Sequence, residues 1–89
     1  MNKEMKFLPY ETSDFALACF LLCSKGLTFK KVFPSQENPK KVIFCFEYSS
    51  KVKINELVEK YDNGSALVSA KKYSQCQRDL KSVIYRKAQ

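Results

Sequence analysis

Eighty-nine residues accommodate one domain around one hydrophobic core, expected to span the whole chain (1–89) with its packed part over about residues 10–86, and they exclude a second domain. An apolar fraction of 45%, with seven Phe and five Tyr against 28% charged residues, excludes the disordered class. Sixteen Lys and Arg against nine Asp and Glu leave a net charge of +7, which favours polyanionic partners, and the absence of any histidine excludes Ser-His-Asp and Cys-His catalysis.

The N-terminal MNKEMKFLPYETS has no apolar core of the kind a secretory signal carries, so a cytoplasmic setting with reduced thiols is expected, the host cytoplasm if the chain is viral. No run reaches the ~20 apolar residues needed to cross a bilayer, and no membrane partner is expected.

Phe15 to Cys23 is an unbroken apolar run. Thr12 or Ser13 is the expected cap before it, Asp14 puts a carboxylate in the positive first turn, and Lys25-Gly26 supplies the stop, which predicts a helix over about 13–25. A helix apolar on every side cannot lie on a surface. It is either covered on both sides or shared with a second copy.

LTFKKVF and KKVIFCFEY, separated by the turn-prone PSQENP, predict a β-hairpin. Strict alternation puts Leu27, Phe29, Lys31 and Phe33 on one face of the first strand and Thr28, Lys30 and Val32 on the other. In the second strand Val42, Phe44, Phe46 and Tyr48 oppose Ile43, Cys45 and Glu47. The second strand is the more apolar, and the lysines of the first suit an edge.

SSKVKINELVEKYDNG predicts an amphipathic helix with Ile54, Leu57, Val58 and Tyr61 inward, capped by Ser49 or Ser50 and ended by Asn63-Gly64. A short extended piece at Ser65–Val68 follows. A last helix capped by Ser69 then carries Tyr73, Cys76, Leu80, Val83 and Ile84 inward, and Lys71, Gln75, Arg78, Ser82 and Tyr85 outward, with Lys81 on the flank. The expected fold class is α+β: a small single domain of helix, β-hairpin, helix and helix. An isolated hairpin is marginal in water. The hairpin's two apolar faces and the apolar first helix therefore make a homodimer an expected partner state.

Two glycines, both placed as helix stops, leave no phosphate-binding loop. Cys19 and Cys23 are four apart and could join Cys45 and Cys76 around a metal, but all four lie in apolar runs without a CxxC pair, so they read as core and no metal or cofactor is expected. Glu11, Asp14, Glu56, Glu59, Asp62 and Asp79 read as caps and solvated pairs. No enzyme is expected.

The basic residues form two candidate surfaces: Lys30, Lys31, Lys40 and Lys41 at the open end of the hairpin, and Lys71, Arg78 and Lys81 on the last helix, with Arg86 and Lys87 trailing. With only two arginines, backbone recognition is expected rather than base-specific reading. The expected function is non-enzymatic, non-specific nucleic-acid binding through these residues. The alternative is a protein-interaction module or inhibitor that docks a partner, or a second copy, through an apolar surface.

YETSDFALACFLL, KKVIFCFE, INELVEKYDNGSALVSAKKY and RDLKSVIY, in that order, resemble a family of small domains of unknown function from prokaryotes and their viruses. The family is marked by a TSD-x-ALA-x-FLL opening, a strand ending F-x-F-E, an aromatic-x-N-G turn and a closing L-K-x-x-I-Y. The matches fall on Thr12, Ser13, Asp14, Phe46, Glu47, Asn63, Gly64, Leu80, Lys81 and Tyr85. The resemblance implies the domain boundaries and a phage or mobile-element setting, and it brings no catalytic residues. Glu47, at the end of an apolar strand, is expected to pair with a cation, with Lys81 the candidate.

Overall fold

The computed structural model describes residues 6–38 and 40–88, apart from the side chains of Lys87 and Ala88; Pro39 of the hairpin turn lies outside the described residues. The elements are β1 (Phe7–Thr12), α1 (Phe15–Cys23), β2 (Leu27–Pro34), β3 (Val42–Ser49), α2 (Ile54–Asp62) and α3 (Ala70–Ala88), an α+β fold. The strands form one antiparallel sheet in the order β1-β3-β2. The most apolar strand takes the centre, where neighbours cover both its edges.

β1 is the element that sequence patterning does not predict. Leu8, Tyr10 and Thr12 stand opposite Tyr48, Phe46 and Phe44, on the side of the sheet that carries the helices. The hairpin is thus extended by the chain's own N-terminal segment. Pro9 also has a placement with a reason. Ser50 N–H donates to the Lys6 carbonyl at 2.9 Å, so the even-numbered residues of β1 turn their backbone groups toward β3 and the odd-numbered ones turn theirs to the free edge. Proline, lacking an N–H, removes a donor from that edge and discourages a further strand from adding there.

β2 departs from strict alternation. The register shifts between Phe29 and Lys31, so that Phe29 pairs with Phe46, Lys31 with Cys45 and Val32 with Phe44. This bulge turns Val32 into the core, 2% exposed, and moves Phe33 to the outer face opposite Ile43. The predicted grouping of Phe33 with Leu27 and Phe29 is corrected accordingly.

α1 lies between the sheet and the other two helices. Its Phe15 ring meets Phe44 of the sheet at 6.0 Å, Phe20 stacks on Tyr61 of α2 at 6.1 Å, and Tyr73 of α3 donates its hydroxyl to the Ala16 carbonyl at 3.1 Å. Leu17, Ala18, Cys19, Leu21 and Cys23 are buried within a single chain. An all-round apolar helix is therefore accounted for without a second copy.

Two caps differ from expectation. Asp14, rather than Thr12 or Ser13, caps α1: its Oδ1 accepts from Leu17 N–H at 3.1 Å, while Thr12 Oγ1 accepts from Asp14 N–H. α2 starts after Lys53 with no side-chain cap, because β3 runs on to Ser49 and a turn takes up Ser50. Ser69 does cap α3, accepting from Lys72 N–H at 3.3 Å. Residues 65–69 are irregular. Ser65 and Ala66 N–H close the end of α2 on the Lys60 carbonyl.

Candidate functional site

Lys40 and Lys41 stand immediately before β3, and Lys81 stands on α3, forty positions later in the chain. The fold brings all three to the rim of one groove of about 430 Å³, lined also by Ser13, Phe15, Val42, Phe44 and Ile84. α3 packs across α1 and reaches β2, and Lys81 and Ile84 of its C-terminal half border the groove together with Lys41 and Val42 at the start of β3. No carboxylate is among the residues lining the groove. Its floor is aromatic and aliphatic, its rim cationic.

The remaining predicted residues divide between two places. Arg78 is one turn before Lys81 on α3, and Lys71 two turns before Arg78; at ~100° per residue the three fall within about 80° around the helix. All three are exposed, and Arg78 donates to Gln75 Oε1 at 2.8 Å. Lys30 and Lys31 are elsewhere. The bulge sets them beside Cys45 and Glu47, midway along the edge strand β2 on the sheet's outer face, not at the hairpin tip. Lys30 Nζ approaches Glu47 Oε1 at 3.8 Å, and Lys31 Nζ lies 5.7 Å above the Phe33 ring. The expected Glu47–Lys81 pair is thereby replaced by Glu47–Lys30, since Glu47 faces away from the helices.

Ser13, Phe15 and Ile84 belong to the groove but were not among the predicted site residues. Ile84 carried a signal, since it is one turn from Lys81 and shares its side of the helix. Phe15 carried none, being hidden at the head of a uniformly apolar run.

The cysteines fall into two groups rather than one cluster of four. Cys23 Sγ lies 2.9 Å from Cys76 Sγ, with Cys19 in the same buried layer, whereas Cys45 points to the outer face and approaches Glu11 Oε2 at 3.8 Å. Among the described residues no group of three or more His, Cys, Asp or Glu is placed to hold a metal ion. Burial pushes the Cys19 thiol up to about 11. Burial and then the hydrogen bond with Cys76 push Cys23 up to about 12, from an ordinary value of 9.0. Neutral thiols at physiological pH are poor nucleophiles.

Iodoacetamide at pH 8 is therefore expected to leave Cys19 and Cys23 unmodified in the folded protein and to label both in urea, as read by intact mass. The same shifts give a pH dependence of stability. The folded state holds these protons above the unfolded value, so their contribution is complete below pH 9 and is lost as pH rises through about 11 to 12. Melts across pH 8 to 11 should show the midpoint falling on the alkaline side.

The stretches quoted above as family-like meet in space. Asp14 of the TSD opening, already capping α1, accepts from the Tyr61 hydroxyl at 3.5 Å, so the opening and the Tyr61-x-Asn63-Gly64 turn touch. Burial first, then the Asp14 carboxylate, raises the Tyr61 hydroxyl above its usual range. Leu80 of the closing motif is in the core, and Tyr85 at its end is exposed. Asp14, Tyr61 and Leu80 are explained by the packing of α1 against α2 and α3, whereas Lys81 and Tyr85 stand on the surface.

Among the described residues no helix is long and apolar enough to cross a membrane. No curated protein and no solved structure matches the chain. A family described as a domain of unknown function, DUF5659, matches residues 9–86, nearly the whole of the folded part, and the chain belongs to that family.

Proposed function

We propose that this chain is a small basic, non-enzymatic protein, of phage or mobile-element type and cytoplasmic, that binds nucleic acid without sequence specificity. The observation that carries the reading is the groove: three lysines from segments distant in sequence share one rim that no carboxylate lines. Like charges held together repel, and the phosphates of a polyanion relieve that repulsion. Arg78 and Lys71 continue the positive surface along α3 and would follow the backbone out of the groove. Lysines supply phosphate contacts without a rigid fork for base edges, which suits binding that ignores sequence.

Fluorescence anisotropy with labelled oligonucleotides tests this. The three groove lysines alone imply that raising salt from about 50 to about 200 mM weakens binding roughly 20- to 40-fold, and contacts from Arg78 and Lys71 steepen the loss. Lys40→Glu with Lys41→Glu should weaken binding to every sequence alike and flatten the salt slope by about 2 units. Lys30→Glu with Lys31→Glu, on the other side of the sheet, should leave the slope unchanged. No binding at about 50 mM salt removes the reading.

The alternative, a docking module acting through an apolar surface, draws less support. α1 is covered within one chain, and the large exposed apolar side chains (Phe7 and Leu8 on β1, Leu67 and Val68 before α3, Tyr85 near its end) are dispersed over separate elements.

A further inference from the structure

The floor of the groove distinguishes it from the rest of the basic surface. Phe15, Val42, Phe44 and Ile84 form it, and Phe44, 1% exposed, supports Phe15 from behind with ring centroids 6.0 Å apart and planes at 57°. Phe15 is half-buried, so part of its ring stays open while its position is held. An apolar floor with one partly open aromatic ring, beneath three cations, fits a ligand that is anionic along one edge and planar beside it.

Double-stranded nucleic acid presents phosphates and sugars outward and keeps the faces of its bases stacked inside. A duplex would engage the lysine rim and leave the floor wet. An unpaired strand offers both parts, phosphates to the lysines and a base face to the ring. The groove volume of about 430 Å³ falls in the ~300–1,000 Å³ range of pockets that hold small organic ligands, a class that includes a base with its sugar.

Resting on the polyanion reading above, we infer that the groove is a site for single-stranded nucleic acid, with one unpaired base over Phe15 and Ile84 and the flanking phosphates on Lys40, Lys41 and Lys81. The lining residues include no Arg, Asn or Gln to read a base edge in bidentate fashion. Ser13 supplies a single hydroxyl at the mouth. The site therefore accepts any base.

The test compares three labelled probes of equal length against the full chain at about 50 mM salt: oligo-dT, the same backbone with abasic residues through its centre, and a duplex. The expected result is that oligo-dT binds roughly ten-fold or more tighter than the abasic strand, in line with base–aromatic stacking, and tighter than the duplex. Phe15→Leu, which keeps an apolar side chain against Phe44, should shrink the gap between dT and abasic strands while leaving abasic binding unchanged. The probe comparison stands even if that variant is unstable, because it uses the unaltered protein.

Equal affinity for all three probes with a steep salt dependence would overturn base docking and leave the polyanion reading in place. Absence of binding to any probe would overturn both. A fourth labelled probe, polyglutamate, binding as tightly as oligo-dT would also overturn the inference, since charge alone would then account for affinity.

Discussion

Replacing Phe46 with alanine is expected to lower the unfolding free energy by about 3–5 kcal/mol. Phe46 is fully buried on the central strand, flanked in register by Tyr10 of β1 and Phe29 of β2, with the Phe29 ring edge-on at 5.5 Å. Its removal leaves a cavity bounded by three strands and α1, none of which is free to collapse. A chain of 89 residues has a total stability of about 4–13 kcal/mol, so the loss is roughly a quarter of the whole at the least. Urea unfolding should show a lower midpoint with an unchanged slope. Phe33→Ala, half-buried on the outer face, is the control and should cost less than about 1.5 kcal/mol. Equal losses at the two positions would contradict the register shift in β2.

Gly26→Ala carries the second large effect. Gly26 has φ +89°, and an added Cβ would stand 2.6 Å from Val52 Cγ2, in the segment between β3 and α2. Left-handed backbone costs a non-glycine residue about 1–2 kcal/mol, and the overlap with Val52 adds to it. Gly64 separates the two costs: it has φ +80°, and nothing lies within 4 Å of its would-be Cβ. Gly64→Ala should therefore show the backbone cost alone. A double-mutant cycle with Val52→Ala should bring the cost of Gly26→Ala down toward that of Gly64→Ala. If the cycle shows no coupling, the turn after α1 does not pack on Val52 as described.

The parts of the fold that were legible in the sequence are those decided over a few residues. The apolar run of α1, the inward stripes of α2 and α3, the Ser69 cap and the Gly64 stop each follow from spacing within one or two turns, whereas α1 ends at Cys23, ahead of the Lys25-Gly26 stop that was expected. The hairpin was equally plain from its β-branched and aromatic runs. β1 was not. FLPYET is short, contains proline and has no clear alternation, and it is a strand because the free edge of β3 is there to pair with it. The bulge was hidden for a related reason, since alternation assumes one residue per pleat and only pairing with β3 shows where two are used.

The candidate site divides in the same way. The chain's composition by itself determined a basic domain without histidine or phosphate loop, in which lysines outnumber arginines and whose last helix is positive on its outer side. Which of those cations act together was decided only by tertiary structure. Lys30 and Lys31 were close to Lys40 and Lys41 by reasoning from the hairpin alone, yet the bulge and strand pairing carry them to the opposite face, where Glu47 and Phe33 occupy them. Lys81 joined Lys40 and Lys41 because α3 must cover α1, and covering it lays the helix across the mouth of β3. Local periodicity reports which side of an element is buried. Convergence of distant side chains depends on how the elements stack, and that is settled by the core they bury together.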